Sequence, residues 1–136
     1  MNNIALAVVA HPDDVEFLCA GTLALMHRKG WAVHLATMTA GDCGSKDLGK
    51  EEISAIRKQE ATNSARILDG TYTCLELEDL FIVYDKPSIV KAVALIRKIR
   101  PRIVFTMSPD CYMADHEITS RLVQTACFGG GLANVD

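Results

Sequence analysis

Positive charge is in short supply in this sequence: 14 lysines and arginines stand against 17 aspartates and glutamates, a formal net charge of −3 over 136 residues. Nucleic acids and anionic membrane surfaces recruit proteins through basic patches, so neither is expected as a partner. No apolar run approaches the roughly 20 residues that cross a bilayer, so no membrane span is expected. Residues 1–10 lack the charged start and the cleavage site of a secretory leader. The five cysteines, Cys19, Cys43, Cys74, Cys111 and Cys127, are odd in number and form no Cys-x-x-Cys pair. That suits reduced thiols in a cytoplasmic protein better than a disulfide framework, and packing better than chemistry. No stretch completes Gly-x-Gly-x-x-Gly or the Walker pattern ending Gly-Lys-Ser/Thr, which weakens any nucleotide-binding reading. What is present is ordinary in bulk. Hydrophobic residues make up 49% and charged residues 23%, and the length suffices for one domain, 1–136, with its own core.

The apolar run Ile4–Val9 reads as a strand buried on both faces, and Ala10-His11-Pro12-Asp13-Asp14-Val15-Glu16 follows its C-terminal end. In open α/β sheets ligands bind at that end. His11 and Asp14 offer an imidazole nitrogen and a carboxylate oxygen, both ordinary zinc ligands. Asp13 is a second carboxylate, suited to act as a base on a metal-activated water. Pro12 stiffens the turn. Taken alone, the turn also suits a plain strand-to-helix connection, with Asp14 as N-cap and Glu16 favoured by the helix dipole.

Downstream, apolar spacing predicts a helix over Glu16–Lys29 and a strand over Ala32–Met38. A glycine-rich loop, Thr39–Ser45, is expected to close one wall of a pocket beside the first motif. A long helix over Glu51–Leu68 and a short strand over Thr73–Leu77 come next, then a helix from Pro87 to Arg100 and a strand over Ile103–Met107. A last helix over Thr119–Phe128 begins near Asp115. Strand and helix alternate throughout, which predicts an α/β fold: a mostly parallel sheet with helices on both faces. His27 reads as a surface residue and His34 as a structural one. His116 follows the end of the fourth strand, as His11 follows the end of the first. Two histidines and one carboxylate leave a position open for water, the pattern of a catalytic zinc. Asp115 is placed to orient a neighbouring ligand, or else to cap the helix.

AHPDDVEFLCAGTLA, with ADHEITSRLVQTA about a hundred residues on, resembles the zinc-dependent N-deacetylases of the LmbE-like, PIG-L type. That family acts on N-acetylglucosaminyl conjugates, including a phosphatidylinositol glycolipid and the precursors of mycothiol and bacillithiol. The resemblance implies a Rossmann-like fold truncated at its C-terminus, since family members continue past the position of Asp136. It implies one zinc per chain on His11, Asp14 and His116, with iron(II) suiting the same ligands. It also implies a catalytic base at Asp13 and frequent homo-oligomers. The family's Arg-x-x-Glu helix corresponds to Arg57 and Glu60, which makes Arg57 a substrate contact. Read from spacing alone, Arg57 and Glu60 are a solvated ion pair. Asp79 falls where the family has a pocket aspartate.

One departure stands out. The family's Tyr-His-Pro-Asp-His is Tyr112-Met113-Ala114-Asp115-His116 here, so Met113 replaces a histidine that stabilises an oxyanion or protonates the leaving group. Tyr112 is a candidate for the missing donor. The expected activity is metal-dependent hydrolysis of an N-acetyl group on an amino-sugar conjugate. The alternative is a catalytically weak zinc- or sugar-binding protein of the same fold.

Overall fold

The computed structural model describes residues 3–136; the first two residues of the expected 1–136 domain lie outside the described part. Strand β1 spans Ile4–Val9, β2 Ala32–Thr39, β3 Thr71–Leu77 and β4 Ile103–Thr106. They form one parallel sheet in the order β3-β2-β1-β4. The connecting helices are α1 (Asp14–Leu18), α2 (Ala20–Arg28), α3 (Lys50–Ile67), α4 (Lys86–Ile99) and α5 (Ala114–Gly129). The expected α/β architecture is therefore present.

Strand β1 is central, and its alternation builds two cores. Leu6, Val8 and Ala10 pack with Val93 and Leu95 of α4 and Leu122 and Val123 of α5. Ala5, Ala7 and Val9 face the opposite layer, with Leu23 of α2, Val33 and Leu35 of β2 and Ala65 of α3. A strand apolar at every position can only be satisfied between two helical layers.

From β1 the chain moves outward through β2 and β3, then returns to the other side of β1 as β4. The order reverses between β1 and β4, which opens a crevice beyond their C-terminal ends. The turns after β1 and β4 border that crevice. His11 lies on the first of them, and His116 in the first turn of α5, directly after the second.

The expected single helix over Glu16–Lys29 is instead two, α1 and α2, interrupted at Cys19 with φ −142° and ψ 5°. A straight continuation of α1 would carry its apolar residues away from the core: Phe17 is 84% exposed and Leu18 62%. The break re-aims the next turns so that Leu23, fully buried, reaches the sheet. Strand β3 begins at Thr71, earlier than the expected Thr73, because Thr71 already pairs with His34 along β2. Helix α4 is capped by Asp85, whose carboxylate accepts from the Ser88 N–H at 2.9 Å. No helix among the described residues is long and apolar enough to cross a membrane.

Candidate metal centre

The turn after β1 is wound by its own side chains. The Asp14 carboxylate folds back and accepts from the His11 backbone N–H at 2.9 Å. Asp13 sits at φ 113°, a left-handed backbone that an L-residue adopts only under restraint. Asp14 is therefore not the N-cap. That position belongs to Asp13, whose side chain makes no capping bond. The winding aims His11 and Asp14 into the crevice and leaves Asp13 half exposed at its rim.

Helix α5 brings the third partner. Met113 is its N-cap, and the Met113 carbonyl accepts from the backbone N–H of His116 at 3.1 Å. His11, Asp14 and His116 are all buried, and each offers one donor atom within 4.8 Å of the others. His11 Nδ1 lies 3.5 Å from Asp14 Oδ2, and His116 Nε2 lies 3.5 Å from Asp14 Oδ1. Two imidazoles and a carboxylate converging beside an open cavity are a donor set that fits a divalent metal such as zinc.

A second cluster, His11, Asp79 and Asp115, also meets that distance, but its oxygens are already committed. His11 Nε2 lies 2.9 Å from Asp115 Oδ2 and 3.1 Å from Asp79 Oδ1. Asp115 also accepts from the backbone N–H groups of Leu80 (2.9 Å) and Ile82 (3.4 Å), and Asp79 from that of Cys43 (2.8 Å). These carboxylates orient the His11 ring, the arrangement that commonly backs a metal-ligating histidine. Asp115 and Asp79 thus both face His11 Nε2.

The charges respond to this crowding. Burial disfavours protonated His11, but hydrogen bonds to Asp14 and Asp115 and the charges of Asp14 and Asp79 outweigh it and raise its pKa to about 9. Asp14 is also opposed by burial, yet its hydrogen bonds with His11 hold it below the ordinary carboxylate range. Burial pushes Asp13 above that range, and the guanidinium of Arg57 only partly counters the rise. A carboxyl shifted toward neutrality is better suited to accept a proton.

Arg57, from α3, reaches under the turn. Its Nη2 donates to Asp13 Oδ2 at 2.9 Å and to the Pro12 carbonyl, and its Nη1 donates to the Gly41 carbonyl at 2.9 Å. The expected Arg57–Glu60 ion pair is replaced by this one with Asp13, because Asp13 lies across the turn toward which the α3 side chain points. The glycine-rich loop is the housing for that guanidinium. Gly41 has φ +67°, and a Cβ there or at Gly44 would collide with Arg57.

A cavity of about 240 Å³ opens over these groups. Its lining includes Asp13, Asp14, Arg57 and Asp79 together with Leu80, Tyr112 and Met113, with Cys43 and Gly44 in the wall as expected for the loop. Met113 therefore faces the cavity from the position where the family has a histidine. Tyr112 is 86% exposed, and its ring meets that of His116 in a T-shaped contact with centroids 5.5 Å apart. His27 pairs with Asp69 at 3.4 Å and His34 bonds Thr71 at 2.6 Å, both away from the crevice.

Sequence reasoning missed two participants. Cys111 places its Sγ 3.3 Å from His116 Nδ1. Leu80 holds a left-handed backbone, φ 69°, while its N–H is bound by Asp115. Only Cys111 left a usable signal, its nearness to His116 on the loop after β4.

Residues 6–127 match the family model described as "PIG-L: GlcNAc-PI de-N-acetylase". A 4-oxalmesaconate hydratase of Pseudomonas putida is 26% identical over 90% of this chain and 50% of its own length. A probable N-acetyl-α-D-glucosaminyl L-malate deacetylase 2 of Bacillus cereus is 30% identical over 93% of this chain and 61% of its own. The N,N′-diacetylchitobiose deacetylase structure from Pyrococcus horikoshii superposes with a TM-score of 0.91 at 27% identity, covering 98% of this chain and 52% of that one. The chain thus spans between half and two thirds of the length of these relatives. Its fold, the HPDD turn and the family match over residues 6–127 agree: the chain belongs to the PIG-L family of de-N-acetylases.

Proposed function

We propose that this chain carries the catalytic half of a metal-dependent amide hydrolase that removes the acetyl group from an N-acetylglucosamine-type conjugate. One observation carries the reading: His11, Asp14 and His116 converge within 4.8 Å beside the Arg57-held carboxylate of Asp13, at the crevice between β1 and β4. His11, Asp14 and His116 would hold the metal, zinc by preference. When bound, it would supply Lewis acidity toward the attacking water and the acetyl carbonyl. Asp13 takes a proton from the attacking water as the water oxygen bonds to the acetyl carbonyl carbon. Asp13 then returns that proton to the departing nitrogen, so amine and acetate leave without a second acid. Leu80 and Met113 exclude water from the apolar side of the acetyl group.

A second reading is drawn from the Pseudomonas putida relative, named a hydratase. Water activated by the same residues would add across a carbon–carbon double bond of a carboxylate-rich substrate. The lining argues for the amide. The only arginine or lysine in the cavity wall among the described residues is Arg57, and its donors are held by Asp13, Pro12 and Gly41. Asp13, Asp14 and Asp79 also face the cavity. A neutral N-acetyl sugar suits such a wall better than a polycarboxylate.

The deciding experiment is a screen for acetate release from N,N′-diacetylchitobiose and N-acetylglucosaminyl malate, with and without zinc. Hydration of 4-oxalomesaconate runs in parallel. Zinc-dependent acetate release supports the proposal. Hydration without acetate release, or neither activity in zinc-loaded protein, rejects it.

A further inference from the structure

We infer that Cys111 is a positioning residue for the metal centre: its Sγ accepts the Nδ1 proton of His116 and holds that ring with Nε2 toward Asp14. This rests on the metal reading above and goes beyond it, because a thiol takes the place that carboxylates fill behind His11.

His116 is 5% exposed, and its Nε2 faces Asp14 Oδ1. A ring nitrogen that ligates a metal must present a lone pair, so the ring proton then resides on Nδ1. A buried N–H needs an acceptor. The hydrogen-bond partner of Nδ1 among the described residues is Cys111 Sγ, at 3.3 Å, within the longer range normal for sulfur. The thiol is itself pinned. The Cys111 backbone N–H donates to Glu117 Oε1 at 3.0 Å, which ties the loop after β4 to the first turn of α5. The edge of the Tyr112 ring limits the tilt of His116 but offers it no acceptor. Among the described residues, Cys111 is thus the hydrogen-bond partner at Nδ1, and Asp14 faces the ring from the Nε2 side.

The two histidines are backed unequally. His11 has its Nε2 within reach of two carboxylates, whereas His116 has a polarisable sulfur at its Nδ1. A weak acceptor orients the ring without strongly raising its basicity. Cys111 therefore acts on metal affinity through geometry.

The test is zinc affinity of the full chain, measured by competition with a chromogenic chelator at one pH. Removing such an outer partner costs about 10–100-fold in metal affinity, and Cys111→Ala is expected to show that loss. Cys111→Ser is expected to recover most of it, since a hydroxyl also accepts from Nδ1. Cys127→Ala, an exposed cysteine elsewhere on α5, should match wild type. If Cys111→Ala does not fold, the folded Cys111→Ser protein carries the test. Near-wild-type affinity in it supports the role, and loss of zinc overturns it. Equal affinity in wild type and folded Cys111→Ala also overturns it, leaving the metal site intact. A wild-type chain that binds no zinc rejects the metal reading itself and this inference with it. Cobalt substitution adds a second readout. The wild-type spectrum is expected to lack an intense near-ultraviolet thiolate band, and the visible bands should shift in Cys111→Ala. A strong thiolate band that vanishes in Cys111→Ala would make Cys111 a ligand rather than an orienting residue.

Discussion

Replacing Arg57 with alanine probes how the Asp13 carboxylate, the proposed base, is held. The guanidinium serves three acceptors: Asp13 Oδ2, the Pro12 carbonyl and the Gly41 carbonyl. Two neutral carbonyl acceptors account for about 0.5–1.5 kcal/mol each. The Asp13 side chain is 51% exposed, so solvent screening reduces the ion pair to about 1 kcal/mol. The folded state should lose about 2–4 kcal/mol, and water should fill the space that Gly41 and Gly44 leave around the missing group. Activity should fall further than stability suggests. Asp13 sits at φ 113°, and its carboxylate would lose the contact that fixes its direction. A misplacement of that size costs about 10²-fold in turnover. The assay is acetate release on a neutral conjugate, with kcat and KM measured separately for Arg57→Ala, Asp13→Asn and the double variant. If Arg57 acts through Asp13, kcat falls, KM holds, and Arg57→Ala costs nothing further once Asp13 is asparagine. Independent, additive losses would refute this. So would a rise in KM confined to anionic conjugates, which would make Arg57 the substrate contact that the family resemblance implies.

Asp13→Asn should retain its metal yet lose about 10²–10⁴-fold in turnover, since an amide cannot take the water proton; near-normal turnover at unchanged metal content would place the base elsewhere. Met113→His should change turnover little if Tyr112 or another group already supplies a donor. A rise of about a hundredfold, the worth of one oxyanion donor, would show that the position is an unfilled catalytic role. In metal-free protein, His11 titrates at about 9 against an ordinary 6.5, so the folded state holds that proton more tightly than the unfolded one. The resulting stability is fully present below pH 6.5 and is lost as pH rises through about 9; it amounts to about 3 kcal/mol. Denaturant melts in chelator across that range should show the decline, and a flat profile would contradict it. Zinc must displace the same proton, so its affinity should climb about tenfold per pH unit up to that pKa.

The order of elements and the candidate ligands were legible because they are local properties. A six-residue apolar strand followed by His-Pro-Asp-Asp announces both the strand and the polar turn at its end. The same logic placed His116 after β4. In a parallel sheet all the strand C-termini lie on one edge, so residues far apart in sequence were bound to meet. Helix α4, expected from Pro87 to Arg100, was equally readable and spans Lys86–Ile99.

Other features needed the third dimension. Phe17 and Leu18 have helical apolar spacing, yet they face solvent, because the inward aim of Asp14 sets the direction of α1 and the chain breaks at Cys19 to recover the core. Local spacing made Glu60 the partner of Arg57; the tertiary structure gave that guanidinium to Asp13 and wrapped it in Gly41 and Gly44. His11 and Asp115 are 104 positions apart, and nothing in either segment encodes their 2.9 Å contact. That contact depends on β4 lying beside β1 rather than beyond β3, a choice made by the packing of α4 and α5 on one face of the sheet. The sequence alone thus determined which residues stand at the strand ends and what chemistry they offer. The tertiary structure decided which carboxylates back His11, which thiol backs His116 and which cation steadies Asp13, because side-chain partnership depends on distances set by strand order and helix packing.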